Sequence, residues 1–329
     1  MSTIVAMVGE KMRGGELSAG AIRVTPTAVS PVSRASREIA IARWGWRDWV
    51  ADLVVSLIRY ATRLGYRAAS RRNVNRAWAW DRFNPVPYFK HNYATLRKDD
   101  RQILMHVRDF FTAHFDGESI QDIKRRRLHG LDIGSGSNLY PALTMLPFCD
   151  KITLRDYSPR NVRWMRNEVR QPHRSWKSFW RVLAKSEPYG RLPGGFAQAL
   201  RTRAVTQHGS IFELHKNHWD IGTMFFVAES LTMERREFDV AVTRFVESLR
   251  DGAPFACAFM RNSSGYRVDV RDFPAVAIDE LDVQTCLDKV ADKVHVHLIE
   301  LKNSGTPLRD GYGGMIVATG LRRKFSPLK

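Results

Sequence analysis

"LDIGSGSNLY", residues 131–140, decides how this 329-residue chain is read. A short apolar run carries Asp132 near its end, Gly134 and Gly136 stand one residue apart, and a helical pattern opens at "NLYPAL". Glycine is needed where a backbone must turn tightly and let a ligand approach without a Cβ in the way. A second strand, "KITLR", leads to Asp156, 24 residues after Asp132, and "DYSPRN" opens the next helix. Two strand–loop–helix units in succession predict a parallel sheet with helices on its faces.

A dinucleotide fingerprint would place a third glycine at position 139, which is Leu139. Without that close pyrophosphate cradle, NAD and FAD are disfavoured. The expected ligand is an adenosine with an amino-acid tail, S-adenosyl-L-methionine. Asp156 stands where a carboxylate accepts hydrogen bonds from both ribose hydroxyls in Rossmann-like nucleoside sites. Ser158 before Pro159 is a helix-start signal, and capping by Ser158 leaves Asp156 free. Further strands are predicted at 203–207, 219–229, 253–260, 293–301 and 314–321. The last two lie too close together for a helix between them, so they should form an antiparallel hairpin. The expectation is an α/β, Rossmann-like class I methyltransferase fold: a mostly parallel seven-stranded sheet, a C-terminal antiparallel hairpin and an N-terminal helical extension.

"FNPVPYFKHNY" (83–93), "LDIGSGSNLY" and "DYSPRN" together resemble the nicotinamide, phenylethanolamine and indolethylamine N-methyltransferases, the NNMT/PNMT/TEMT family, over roughly residues 83–323. The resemblance implies that Tyr88 and Tyr93 close over the cofactor. It implies that Gly134, Ser135, Gly136 and Tyr140 surround its methionine part, while Asp156 and Asn161 hold the ribose, with Tyr157 beside them. The family usually has an acidic residue beside the adenine, where this chain offers Ser210 and Ile211. It also holds the substrate amine with an acidic residue after the fifth strand, where this chain has Phe259. Amine recognition therefore does not carry over.

Methyl transfer from a sulfonium is an in-line displacement in which orientation supplies most of the rate, with effective molarities of about 10⁵–10⁸ M in well-aligned cases. An amine acceptor must be neutral, so a carboxylate or water takes its proton. Glu229, at the end of the fourth predicted strand, is the candidate base; an ion-paired or helix-capping Glu is the equally weighted alternative. Ser263, Ser264 and Tyr266 follow the fifth strand and are candidate substrate contacts, against the plainer reading of a polar loop. His295 and His297 alternate along a strand, but two ligands without a third rarely make a metal site, and no metal is expected.

The first proline-rich stretch has a second likeness. Enzymes that methylate base amino groups carry Asn-Pro-Pro-Tyr after the fourth strand, beside a flipped base. Here that position reads "AESL", and "NPVPY" lies before the first strand. Pro85 and Pro87 bias Asn84 and Val86 toward extended backbone, which predicts a stiff segment before helical sequence resumes near residue 94. On one continuous helix Tyr88 and Tyr93 would stand about 140° apart.

The net charge of +18 is uneven. Residues 1–80 carry a balance of +8 and residues 160–203 a balance of +9, while the rest is nearly neutral. Two appended segments are basic, and the body is not, which argues for a solvated surface over a nucleic-acid face. Residues 1–40 read as a disordered tail. Residues 41–80 read as an amphipathic helical extension, docked on its own domain or on a membrane or protein partner. Residues 81–329 read as the methyltransferase domain, with a basic helical insertion at about 165–202. Three cysteines without metal spacing (Cys149, Cys257, Cys286) and the lack of a signal segment suggest a cytoplasmic enzyme with a small-molecule substrate. A non-catalytic S-adenosylmethionine-binding scaffold and, less favoured, a nucleic-acid methyltransferase are the alternatives.

Overall fold

The architecture is that of a computed structural model, which describes residue 75 and residues 78–118, 122, 125–300 and 313–324. The tail expected over 1–40 and nearly all of the helix expected over 41–80 lie outside the described residues.

The strands that build the main sheet are β1 (His129–Ile133), β2 (Lys151–Asp156), β3 (Ala204–His208), β4 (Ile221–Phe225) and β5 (Pro254–Met260). A small hairpin follows, β6 (Gly265–Val268) and β7 (Arg271–Pro274), and the main sheet is completed by β8 (Ala291–Ile299) and β9 (Met315–Arg322). The strand order is β3-β2-β1-β4-β5-β9-β8. The first five pair in parallel, while β9 runs antiparallel to both β5 and β8. The expected seven-stranded sheet with antiparallel C-terminal strands is present. The hairpin β6–β7 was not expected: residues 263–266 read as loop because four-residue strands leave too little alternation to detect.

The helices are α1 (Pro85–Asn92), α2 (Lys98–His114), α3 (Tyr140–Met145), α4 (Pro159–Arg170), α5 (Trp176–Leu183), α6 (Glu187–Gly190), α7 (Gly195–Arg203), α8 (Arg235–Ser248) and α9 (Glu280–Leu287). Strand β5 shows how one sequence serves two layers. Phe255, Cys257 and Phe259 pack with Phe238 and Phe245 of α8 on one face, and Ala256, Ala258 and Met260 join the cluster holding Leu104, Phe111 and Leu143 on the other. Successive residues of a strand point to opposite faces, so a strand covered on both sides reads as a continuous apolar run. Every residue of β5 is buried. Cys149, Cys257 and Cys286 are free and buried. No described helix is long and apolar enough to cross a membrane.

One expectation is corrected in the proline-rich stretch. Pro85–Asn92 is itself a helix, not an extended lead-in. Asn84 caps it, its side chain accepting from the Val86 N–H at 3.3 Å. Pro85 and Pro87 both fall in the first turn, where the missing N–H groups would have had no helical partner anyway.

Candidate functional site

The sheet changes direction between β1 and β4: the connections from β1 lead to β2 and β3 on one side, and the chain then crosses to the other. In such a sheet a crevice opens beyond the carboxyl ends of the strands. Here it is a cleft with about 830 Å³ of empty space, part of it open to solvent.

The glycine loop forms its floor. Gly134 has φ +67° and Gly136 φ +54°, both in the left-handed region. At Gly134 a Cβ would also lie 2.5 Å from a Val227 methyl, so glycine is required twice over there. At Gly136 nothing lies closer than 3.6 Å, and the conformation alone asks for glycine.

Asp156 ties this loop to the end of β2. Its Oδ2 accepts from the Gly136 N–H at 2.9 Å. Its Oδ1 accepts from the Ser158 N–H at 2.8 Å and from Asn161 Nδ2 at 3.1 Å. Ser158 caps α4, its side chain accepting from the Asn161 N–H at 3.4 Å. The carboxylate is thus already engaged by three donors, where the sequence suggested a free group. Two carboxylate oxygens offer about four acceptor sites, so capacity remains. Burial raises the pKa of Asp156, and the donors from Ser158, Asn161 and Gly136 oppose that rise.

Three residues along this wall hold buried polar atoms without a partner among the described residues: Ser137 Oγ, Asn138 Nδ2 and Asn161 Oδ1. Leaving a buried donor or acceptor unmade costs about 1–3 kcal/mol, so three together mark a place prepared for a polar ligand. Tyr157, Ser210 and Ile211 complete this end. Ser210 caps a short turn, its Oγ accepting from the Phe212 N–H at 3.1 Å.

The opposite end is aromatic. Tyr88 and Tyr93 both line the cleft, with ring centroids 6.1 Å apart. They can do so because α1 ends at Asn92, and Tyr93 follows at φ −129° outside the helix. Tyr88 also meets Phe83 at 5.2 Å and Tyr266 at 6.1 Å. The hairpin β6–β7 backs this wall, with Phe273 5.4 Å from Trp80 and 5.2 Å from Phe83. Phe226 adds its ring while its backbone sits at φ +61°, a conformation costly for a bulky residue. Its N–H donates to the Ala258 carbonyl at 2.7 Å, which helps hold it there.

Other predicted site residues lie elsewhere. Tyr140 does not line the cleft; it is fully buried, and its hydroxyl donates to Asp100 Oδ1 at 3.0 Å. Glu229 is also fully buried and off the cleft wall, its Oε1 accepting from the Met260 N–H and from Ser230 Oγ, both at 3.1 Å. Ser263 is buried and Ser264 exposed, and neither lines the cleft. Gly134, Ser135, Gly136, Asp156, Asn161 and Tyr266 do. Sequence reading missed Trp80, Phe83, Asn138 and Phe226. Asn138 was within reach, standing inside the opening motif, whereas the aromatics join the site only through tertiary packing. No group of three metal-ligating side chains occurs among the described residues.

A family model described as the NNMT/PNMT/TEMT family matches residues 72–319. Among curated proteins none matches this sequence. Among solved structures, the chain is similar to the magnesium protoporphyrin IX methyltransferase of Synechocystis PCC 6803 with bound SAM: TM-score 0.43, 13% identity, 72% of this chain and 90% of that one covered. It is similar to an S-adenosylmethionine-dependent methyltransferase from Clostridium acetobutylicum ATCC 824, with TM-score 0.45 and 12% identity over 73% of this chain and 100% of that one. It is also similar to the N-methyltransferase NodS of Bradyrhizobium japonicum WM9, with TM-score 0.37 and 13% identity over 69% and 100%. With the family model spanning the glycine loop, Asp156 and the aromatic wall, the chain belongs to the NNMT/PNMT/TEMT family and is an S-adenosylmethionine-dependent methyltransferase.

Proposed function

We propose that this enzyme methylates a nitrogen of a small molecule, an amine or a heteroaromatic ring, by direct in-line transfer. The observation that carries the reading is the division of the cleft into a polar end around Asp156 and an aromatic end around Tyr88 and Tyr266. S-adenosylmethionine, when bound, supplies a methyl group on a positively charged sulfur. Asp156 would accept from a ribose hydroxyl at its remaining acceptor site, with Asn161 and Tyr157 beside it. Gly134, Ser135 and Gly136 would leave room for the methionine part, and Ser137 and Asn138 would offer their unmade hydrogen bonds there. Ser210 and Ile211 would flank the adenine.

The aromatic end orients the acceptor. Among the described lining residues Asp156 is the one acidic side chain. An acceptor entering as an ammonium would find no second carboxylate among these described residues to hold it. A neutral, flat acceptor suits these walls, and ring faces favour the cation that methylation of a nitrogen creates. The enzyme's task is then chiefly to align nitrogen and methyl. Glu229 supports the wall by holding the Ser230 hydroxyl and the end of β5, and a proton released from an amine passes to water at the mouth.

The test is transfer of labelled methyl from S-adenosylmethionine to fractionated metabolites of the source cell, with labelled products identified by mass spectrometry. Label on a small nitrogen compound is expected. Label only on oxygen, nucleic acid or protein would overturn the reading.

A further inference from the structure

Three arginines outside the methyl-transfer cleft converge on a second cavity. Arg82 in the turn before α1, Arg160 in the first turn of α4 and Arg271 at the start of β7 line about 650 Å³ of space open at the surface, together with Asn84 and Asp269. No guanidinium of the three has a hydrogen-bond or ion-pair partner among the described residues. Neighbouring arginines do: Arg267 meets Asp272 at 2.9 Å, and Arg261 meets Glu280 at 2.9 Å.

The three are set by ordered elements. Asn84 caps α1, Ser158 caps α4, and β6 pairs with β7 across the turn that holds Asp269. Chain neighbours divide between the two cavities: Phe83 and Asn161 line the cleft, while Arg82, Asn84 and Arg160 line the notch. The notch and the cleft thus draw on neighbouring residues of the same two segments. Like charges gathered in one cavity repel, and Asp269 offsets only one of the three. The remaining charge of about +2 matches a phosphate monoester near neutral pH. Forked guanidinium donors bind phosphate oxygens in pairs, which a point charge cannot do.

We propose that this notch is an oxyanion site that takes a phosphate monoester, whether a free one or an anionic lipid headgroup. It lies outside the methyl-transfer machinery and does not depend on the acceptor's identity. The full chain is titrated calorimetrically with phenyl phosphate at low ionic strength. In a second arm it is sedimented with phosphatidylcholine vesicles with and without phosphatidic acid. Binding in either arm is expected, and the arm that binds identifies the source. The variant Arg82→Ala/Arg160→Ala/Arg271→Ala should weaken binding about tenfold or more, the scale of losing charge-assisted hydrogen bonds. Arg163→Ala, which removes another exposed arginine of α4, should change it less than about twofold. Asp269→Asn, with a side chain that tolerates the left-handed φ of +58°, should tighten it. S-adenosylmethionine affinity, measured on the same samples, reports folding. Binding in neither arm, or undiminished binding by the triple variant with cofactor affinity intact, overturns the proposal. So does an equal loss in Arg163→Ala, which would assign the attraction to the diffuse charge of α4. Should the triple variant lose cofactor affinity, the single variants Arg82→Ala and Arg271→Ala decide in the same way.

Discussion

Asp156 Oδ2 accepts the backbone N–H of Gly136 at 2.9 Å, so the carboxylate that ends β2 also fixes the glycine loop that follows β1. One side chain thereby organises two walls of the cleft, and its loss should be felt in both.

Asp156→Ala is expected to weaken S-adenosylmethionine binding by tenfold or more, because the proposed ribose contact and the Gly136 anchor would vanish together. Calorimetry measures it. Unchanged affinity would remove Asp156 from the ribose.

Gly134→Ala should destabilise the protein by about 1–3 kcal/mol, since the new methyl meets Val227 and the backbone sits at positive φ. Adding Val227→Ala should recover the part due to crowding and leave the part due to backbone conformation. Thermal unfolding of the two single variants and the double variant separates these contributions. Strict additivity would show that Val227 is not the obstacle.

Tyr88→Ala and Tyr93→Ala are expected to lower cofactor affinity, and Tyr88→Ala should also raise the acceptor KM, because its ring meets both Phe83 and Tyr266. If both variants bind cofactor as the parent does, α1 is a stiff connector and not a lid.

Glu229→Ala should lower Tm, because the Met260 N–H would lose its acceptor in a buried position at a cost of about 1–3 kcal/mol. Glu229→Gln keeps an oxygen acceptor there, and its activity should retain the acid limb of the pH profile. Abolition of that limb would restore Glu229 as the base.

Burial and the neighbouring Asp99 push Asp100 up to about 8. A carboxyl whose pKa rises on folding holds its proton more tightly in the native state, so stability declines as pH rises from about 4 toward 8. Asp100→Asn keeps an acceptor for the Tyr140 hydroxyl and removes the titration, so Tm should vary less over that range. Some slope should persist from Asp132, which burial raises to about 7.

The glycine loop, Asp156 and the parallel strands were legible because each depends on residues close in sequence. Left-handed turns select glycine locally, and strands covered on both faces betray themselves as apolar runs. The helix at Pro85–Asn92 was misjudged because proline has two opposite local readings, and only the Asn84 cap decides between them. The strand-end position of Glu229 left a catalytic and an ion-paired or capping reading equally open; the turn that buries it cannot be seen in a linear pattern.

The sequence by itself determined the fold class, the cofactor type and the family, since these rest on short-range spacing and backbone conformation. Only the tertiary structure decided which aromatic residues gather at one end of the cleft. Trp80, Phe83, Tyr88, Tyr266 and Phe273 come from segments nearly 200 residues apart, and their meeting depends on how the hairpin β6–β7 packs against the residues around α1. The same packing sets Arg82, Arg160 and Arg271 around one notch. Such contacts are chosen by burial and shape across the whole domain, and no local propensity encodes them.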